Sequence, residues 1–280
     1  MGGCDQFPFF ALPQELQLEV LRKMKVKDVL AVRLSCSAMN NLIELHRLSL
    51  PHRTFHYVEL HPVMDDETHM TYDEKTFVRL FKNGKIRGLT ISYMEVTDEF
   101  VKSVERAFRK HRILVQRLGL DYCRIAADPS LFVRLLDTMK ISELSIINTI
   151  TVNERFAHDL TETATVKRLE RFGVLLPTEI CDNYLADCRN EWLAVVGTNI
   201  TATAVNQFVK EWIEGRRSFQ YLALEFPEPV DLAEILYNVD FNIENQRIMI
   251  RNKCGEERKV TVFDKYIQIY SDKAIKQKNK

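Results

Sequence analysis

Cys181 and Cys188 stand seven residues apart, so on a helix they would share a face, and two thiols on one face are half of a zinc site. Such a site needs two more ligands. His158 is the nearest histidine in sequence, and nothing brings it to the pair. The two thiols therefore read as small buried hydrophobes. Five of the seven histidines (His46, His52, His56, His61, His69) precede residue 80 without a metal spacing such as HExxH, and read as loop and surface residues. A nucleophilic cysteine requires a histidine partner and an electropositive setting, and no local signature supplies either. The nine glycines are dispersed, and neither of the two phosphate-cradling glycine patterns occurs. No catalytic residue, metal ligand or cofactor is assigned, and the chain is expected not to be an enzyme.

Binding is the chemistry that remains. The 280 residues contain 39 basic and 39 acidic side chains, a formal net charge of zero, which removes the usual footprint of a nucleic-acid binder. Short basic pairs such as Arg109-Lys110 and Arg216-Arg217 read as solvated faces. At 46% hydrophobic the chain has ample material for a core. The N-terminus lacks the basic region and cleavage site of a signal peptide, so the six scattered cysteines read as reduced thiols in cytoplasm or nucleus. Met1-Gly2-Gly3-Cys4 starts a myristoylation pattern, but Gln6 stands where Ser or Thr is required. The longest charge-free run, Trp192 to Val209, is too polar to span a membrane, so no membrane partner is expected.

The elements that must position a binding site begin at the front. Pro13 suits the first turn of a helix, and Leu16, Val20, Leu21 and Met24 follow at helical spacing, with Leu18 on another side. A second helix is predicted from an N-cap at Asp28 and carries Val29, Val32, Leu34 and Cys36; a third runs from Ser37 to Leu45. Three short helices bury too little of themselves to hide so much apolar surface. The excess reads either as a partner site or as a face docked on the rest of the chain.

The segment Phe7 to Ile43 resembles an F-box. Leu12-Pro13, Glu15, Leu16, Leu18, Val20-Leu21, Met24, Asp28, Leu30, Val32 and Cys36 stand in the order and spacing of that family, in a form most like the large nematode expansion of F-box proteins. Many F-boxes place Trp three residues after the Cys, where this chain has Met39. The resemblance implies an F-box over residues 7–48 that docks on a Skp-type adaptor, and through it on a cullin. Leu12, Pro13, Leu16, Leu18, Val20, Leu21, Met24, Leu30, Cys36 and Met39 would make the contact.

Beyond Pro51 a pattern recurs every 24 to 31 residues: apolar-x-x-Leu-x-apolar. It reads Ile86…Leu89…Ile91, Val115…Leu118…Leu120, Ile141…Leu144…Ile146 and Phe219…Leu222…Leu224. Looser copies are Phe55…Val58…Leu60, Val166…Leu169 and Leu193…Val195. Period two makes each copy a short strand. Helical stripes lie between them: Phe100, Val101, Val104 and Phe108; Leu131, Leu135 and Leu136; and Val205, Phe208, Val209, Trp212 and Ile213, with Thr203 as cap and Gly215 as left-handed stop. These alternating units predict an α/β chain: a helical front, then a degenerate leucine-rich-repeat-like solenoid over residues 52–272. An ordinary mixed α/β domain is the alternative. Arg247–Arg251, Lys259–Phe263 and Tyr266–Tyr270 alternate with period two and predict a closing antiparallel β-meander, with Lys273 to Lys280 frayed.

Residues 190–270 also resemble the F-box-associated (type 2) domain of those nematode proteins, through Phe208…Trp212-Ile213…Gly215, Tyr221-Leu222 and Arg251…Gly255 leading into Val260-Thr-Val. The two resemblances together imply a non-catalytic adaptor of a Skp/cullin/F-box ubiquitin ligase whose C-terminal domain binds a protein substrate of unknown identity. The alternatives are an F-box interaction protein acting outside ubiquitination and an unrecognised α/β enzyme. Within the predicted strands, residues beside the inward Leu fall on the opposite face. Arg117, Asp121, Glu143, Arg168, Glu170, Trp192, Tyr221 and Glu225 are the candidate substrate contacts, with Trp192 and Tyr221 as an aromatic anchor.

Overall fold

The computed structural model describes residues 9–46, 53–64, 70–71, 74–81, 84–244 and 247–272. The lipidation pattern, Phe7, His52, His69 and the tail 273–280 lie outside the described residues, as does the side chain of Leu30.

Pro13 is the N-cap of α1 (Gln14–Lys23), where its missing N–H costs nothing and its carbonyl accepts from the amides of Leu16 and Gln17. Helix α2 (Val26–Arg33) starts two residues before the predicted cap. Lys25 precedes it without a side-chain cap, and Asp28 sits in the first turn, where its charge suits the helix dipole. Helix α3 (Ser37–His46) follows. Leu18, Leu21, Val29, Met39 and Ile43 close a small core of their own, separate from that of the rest of the chain.

The remainder is a mixed α/β unit. Strand β1 (Thr54–Leu60) leads through the short pair β2 (Val63–Met64) and β3 (Met70–Thr71) to α4 (Glu74–Phe81). Then come β4 (Lys85–Ser92), β5 (Glu95–Val96), α5 (Asp98–His111), β6 (Leu114–Asp121), β7 (Arg124–Ile125) and α6 (Pro129–Met139). They are followed by β8 (Glu143–Ile147), β9 (Ile150–Thr151), α7 (Phe156–Thr161), α8 (Ala164–Lys167) and β10 (Arg171–Pro177). Next are α9 (Asp182–Asp187), β11 (Trp192–Val196), α10 (Ala202–Ile213), β12 (Tyr221–Glu225) and α11 (Leu232–Ile235). The chain closes with β13 (Phe241–Glu244), β14 (Arg247–Arg251), β15 (Glu257–Phe263) and β16 (Tyr266–Tyr270).

Among the described residues, eleven strands make one sheet in the order β1-β4-β6-β8-β10-β11-β12-β16-β15-β14-β13. The first seven are parallel and lie in chain order; the last four are antiparallel. One row of side chains crosses the sheet in register as Val58, Leu89, Leu118, Leu144, Phe172, Leu193, Leu222, Ile269 and Val260. It packs under the helices in a single core with Val104, Phe108, Leu135, Phe156, Val209 and Trp212. The helices therefore cover one face, and the other face is left open.

The units share their corners. Tyr93, Tyr122 and Asn148 follow the ends of β4, β6 and β8 with φ of 58°, 51° and 48°, and Gly197 follows β11 with φ of 58°. Tyr93, Tyr122 and Asn148 turn the chain into the short pieces β5, β7 and β9, which pair as a second small parallel sheet, and after Gly197 Asn199 makes a single bridge to Cys181. Thr97, Asp128, Thr163 and Thr201 then cap α5, α6, α8 and α10 with side-chain oxygens.

Three sequence expectations change. Val166 and Leu169 do not form a strand: Val166 is on α8, and the strand is β10, whose core residues are Phe172 and Val174. Thr201, not Thr203, caps α10. The meander does cover the edge of β12, by pairing β16 along it and so extending the sheet, but it has a fourth strand, β13.

Candidate functional site

At the front, the three-helix core sorts the expected adaptor contacts into two sets. Leu18, Leu21 and Met39 point inward and are buried, so they hold the helices together in place of facing outward. Leu12 and Met24 are half-buried, and Pro13 and Cys36 are exposed. The Cys36 thiol accepts from the Met39 amide at 3.4 Å, which ties the start of α3. The large outward apolar side chains among the described residues of the helices are Leu16 (47% exposed), Val20 (41%), Leu34 (86%) and Leu45 (74%), and Phe10 is exposed in the turn before α1. Leu34 and Leu45 were not among the expected contacts, although Leu34 was read on the second helix; both lie at helix ends.

On the open sheet face, registered pairing aligns Tyr57, Gly88, Arg117, Glu143, Arg171, Trp192, Tyr221, Tyr270 and Lys259 in one row. Glu143 sits between two guanidinium groups, 3.1 Å from Arg117 Nε and 3.8 Å from Arg171 Nη1. Arg171 also lies 5.9 Å from the Trp192 ring centroid. Trp192 and Tyr221 stack at 4.7 Å with 12° between ring planes, and Tyr270 continues the series at 6.4 Å. Partial burial, and then the neighbouring Tyr270, push the Tyr221 hydroxyl above its ordinary pKa, so it is neutral and a donor at physiological pH.

The next row is small: Gly119, Ser145, Gly173, Ala194 and Ala223. A Cβ on Gly173 would come within 2.9 Å of the Trp192 ring, so the indole lies down over the glycine. Beyond it, Asp121 accepts from Asn148 Nδ2 at 3.0 Å, and Glu225 accepts from the Gly197 amide at 3.2 Å.

Of the expected substrate contacts, Arg117, Asp121, Glu143, Trp192, Tyr221 and Glu225 are on this face. Arg168 and Glu170 are not. Arg168 ends α8 and donates to the Ala164 carbonyl at 3.1 Å, while Glu170 precedes β10. Arg171 and Gly173 hold those places. The missed copy of the pattern was Leu169…Phe172…Val174, with Phe where the other copies have Leu.

The cysteine pair separates. Cys181 precedes α9 and is exposed; Cys188 follows it, is buried, and its thiol pKa is raised chiefly by that burial. They are not two thiols on one helix face. Among the described residues no cluster of His, Cys, Asp or Glu could hold a metal ion, and no helix is long and apolar enough to cross a membrane.

Residues 9–50 match the F-box domain family, so the three front helices are an F-box domain. No curated protein is similar enough to the chain to match it.

Proposed function

Taking the F-box domain at residues 9–50 as premise, we propose that the chain is a substrate-recognition subunit of a Skp/cullin/F-box ubiquitin ligase. The F-box docks on a Skp-type adaptor, the adaptor links it to a cullin, and the sheet domain holds a protein substrate. The observation that carries this reading is the outward set Leu16, Val20, Leu34 and Leu45 on helices whose own core is already filled. Apolar side chains left outside a closed core lose water only when a partner covers them.

The finer assignments rest on sequence likeness. The seven parallel strands in chain order, with left-handed corners at Tyr93, Tyr122, Asn148 and Gly197, support a degenerate leucine-rich-repeat-like solenoid. The resemblance of residues 190–270 to the nematode F-box-associated domain, through Phe208, Trp212, Gly215 and Tyr221, supports placing the chain in that expansion. Substrate capture on the open face is supported by the half-exposed Trp192–Tyr221 stack and the Arg117–Glu143–Arg171 row beside it.

The test is capture of purified Skp-type adaptor by the full chain and by Leu16→Asp and Leu34→Asp variants. Both positions are exposed, so folding survives. An apolar side chain buried at an interface contributes about 1.5–3 kcal/mol, so affinity should fall at least tenfold. Undiminished capture by both variants overturns the reading.

A further inference from the structure

Helices α5 and α6 turn a charged groove to solvent on the side of the sheet opposite the open face. The open groove has a volume of about 610 Å³ and is lined by Lys102, Glu105, Arg106, Arg109, Lys110 and Arg134. Five cations thus meet one carboxylate in a chain whose formal net charge is zero. Glu105 is already spent. Its side chain is 8% exposed, with Oε2 accepting from Arg134 Nε and Nη2 at 3.0 and 2.7 Å, and Oε1 from Arg109 Nη2 at 2.9 Å. Lys102 has a looser partner in Asp98, 3.8 Å away.

The helix dipole accounts for part of this arrangement only. Arg109 and Lys110 are in the last turn of α5, where cations are favoured. Lys102 and Arg106 are earlier, and Arg134 is on another helix. Lys102, Arg106 and Lys110 also succeed one another at i, i+4 spacing, which places like charges side by side and disfavours the free helix. An anion in the groove relieves that repulsion. The two arginines facing Glu105 keep unused N–H donors and are held in place before any ligand arrives, so little side-chain freedom is lost on binding.

We propose that this groove is a docking surface for an acidic, Asp/Glu-rich segment of a partner protein. The Arg109–Glu105–Arg134 contact is the groove's own instance of the guanidinium–carboxylate pairing such a segment would repeat. A carboxylate-rich segment fits five clustered cations in a chain with no net positive charge, the balance that speaks against a nucleic-acid backbone as the ligand. The surface lies on α5 and α6, apart from the open sheet face and from the F-box, so it is a third place to hold a partner beside those two.

The test uses the full chain and fluorescein-labelled hexaglutamate, followed by anisotropy at low and high salt. Arg106→Gln/Lys110→Gln removes two of the three exposed cations that do not hold Glu105, and leaves the buried carboxylate satisfied. The expected result is binding that weakens as salt rises and falls roughly tenfold in the double variant, with melting unchanged. Trp192→Ala should bind the probe as the parent does, which separates this surface from the proposed substrate face. Equal binding by parent and double variant overturns the proposal, as does equal binding of hexaglutamine. Tighter binding of a single-stranded hexanucleotide than of hexaglutamate overturns it in favour of a nucleic-acid surface.

Discussion

Trp212 carries more of the core than any other side chain of its helix. It is fully buried, edge-on to Phe219 at 5.6 Å, with the Arg258 guanidinium 4.9 Å from its ring centroid. Arg258 is itself buried and donates through Nε and Nη2 to the Phe219 carbonyl at 3.1 and 2.6 Å. Burial lowers its pKa, against the opposing effect of Glu256. Trp212→Ala should therefore cost about 3–5 kcal/mol, measured by denaturant unfolding. The indole N–H has no acceptor among the described residues, so Trp212→Phe should cost clearly less than the alanine variant. An unmoved midpoint for Trp212→Ala would mean the ring is not core. A second residue-scale test is Gly173→Ala. The new methyl meets the rigid Trp192 ring at 2.9 Å, so the ring must leave its stack on Tyr221. A change in the near-ultraviolet circular dichroism of the aromatic side chains is expected, with far-ultraviolet signal retained.

At the scale of elements, caps separate two threonines that sequence alone does not distinguish well. Thr201 Oγ1 accepts from the Ala204 amide at 3.2 Å, and its own amide and hydroxyl donate to Asp182. Thr203 is already inside α10 and only reaches Glu234 at 3.4 Å. Thr201→Ala should destabilise the protein by about 1 kcal/mol and Thr203→Ala by less than about 0.5 kcal/mol, read from paired urea melts. The reverse order would return the cap to Thr203. Strand β10 shows the same kind of ambiguity. Val166 and Leu169 fit a spaced apolar pattern, but Thr163 Oγ1 caps the Val166 amide, and a helical turn takes that stretch. The strand forms where Phe172 can align with Leu144 and Leu193.

For the whole molecule, two separate cores imply two separable failures. Leu21 belongs to a front core of five buried residues, and a charge placed there without a partner costs several kcal/mol. So small a unit has little stability to lose. Leu21→Asp should abolish adaptor capture by unfolding the F-box, while the main calorimetric transition of the sheet domain stays within a few degrees of the parent. Loss of both transitions would show that the two cores fold as one. In the opposite sense, Trp192→Ala and Tyr221→Ala should each weaken capture of a substrate by roughly 2 kcal/mol while adaptor binding is retained. Loss of adaptor binding in these variants would contradict a division of labour between the two units.

Most of the fold was legible because local signals carried it. Pro13 before an apolar stripe, the period-two Leu rows, and the stripe Val205, Phe208, Val209 and Trp212 each specify an element from a few neighbours, and each element formed. Gly215 took its left-handed turn, with φ of 77°. The stacking of Trp192 on Tyr221 followed from period two, because equivalent positions of adjacent parallel strands lie side by side. The tertiary structure decided what periodicity does not encode. It chose which apolar residues of the front helices close a core and which remain outside, since Leu16 and Leu21 have the same chemistry and differ only in what lies opposite them. It brought Glu105 between Arg109 on its own helix and Arg134 on the next, and Glu143 between arginines of two neighbouring strands. Apart from Glu105–Arg109, which the turn of one helix brings together, those charge pairs join residues roughly thirty positions apart, and only the stacking of one unit on the next brings them within reach.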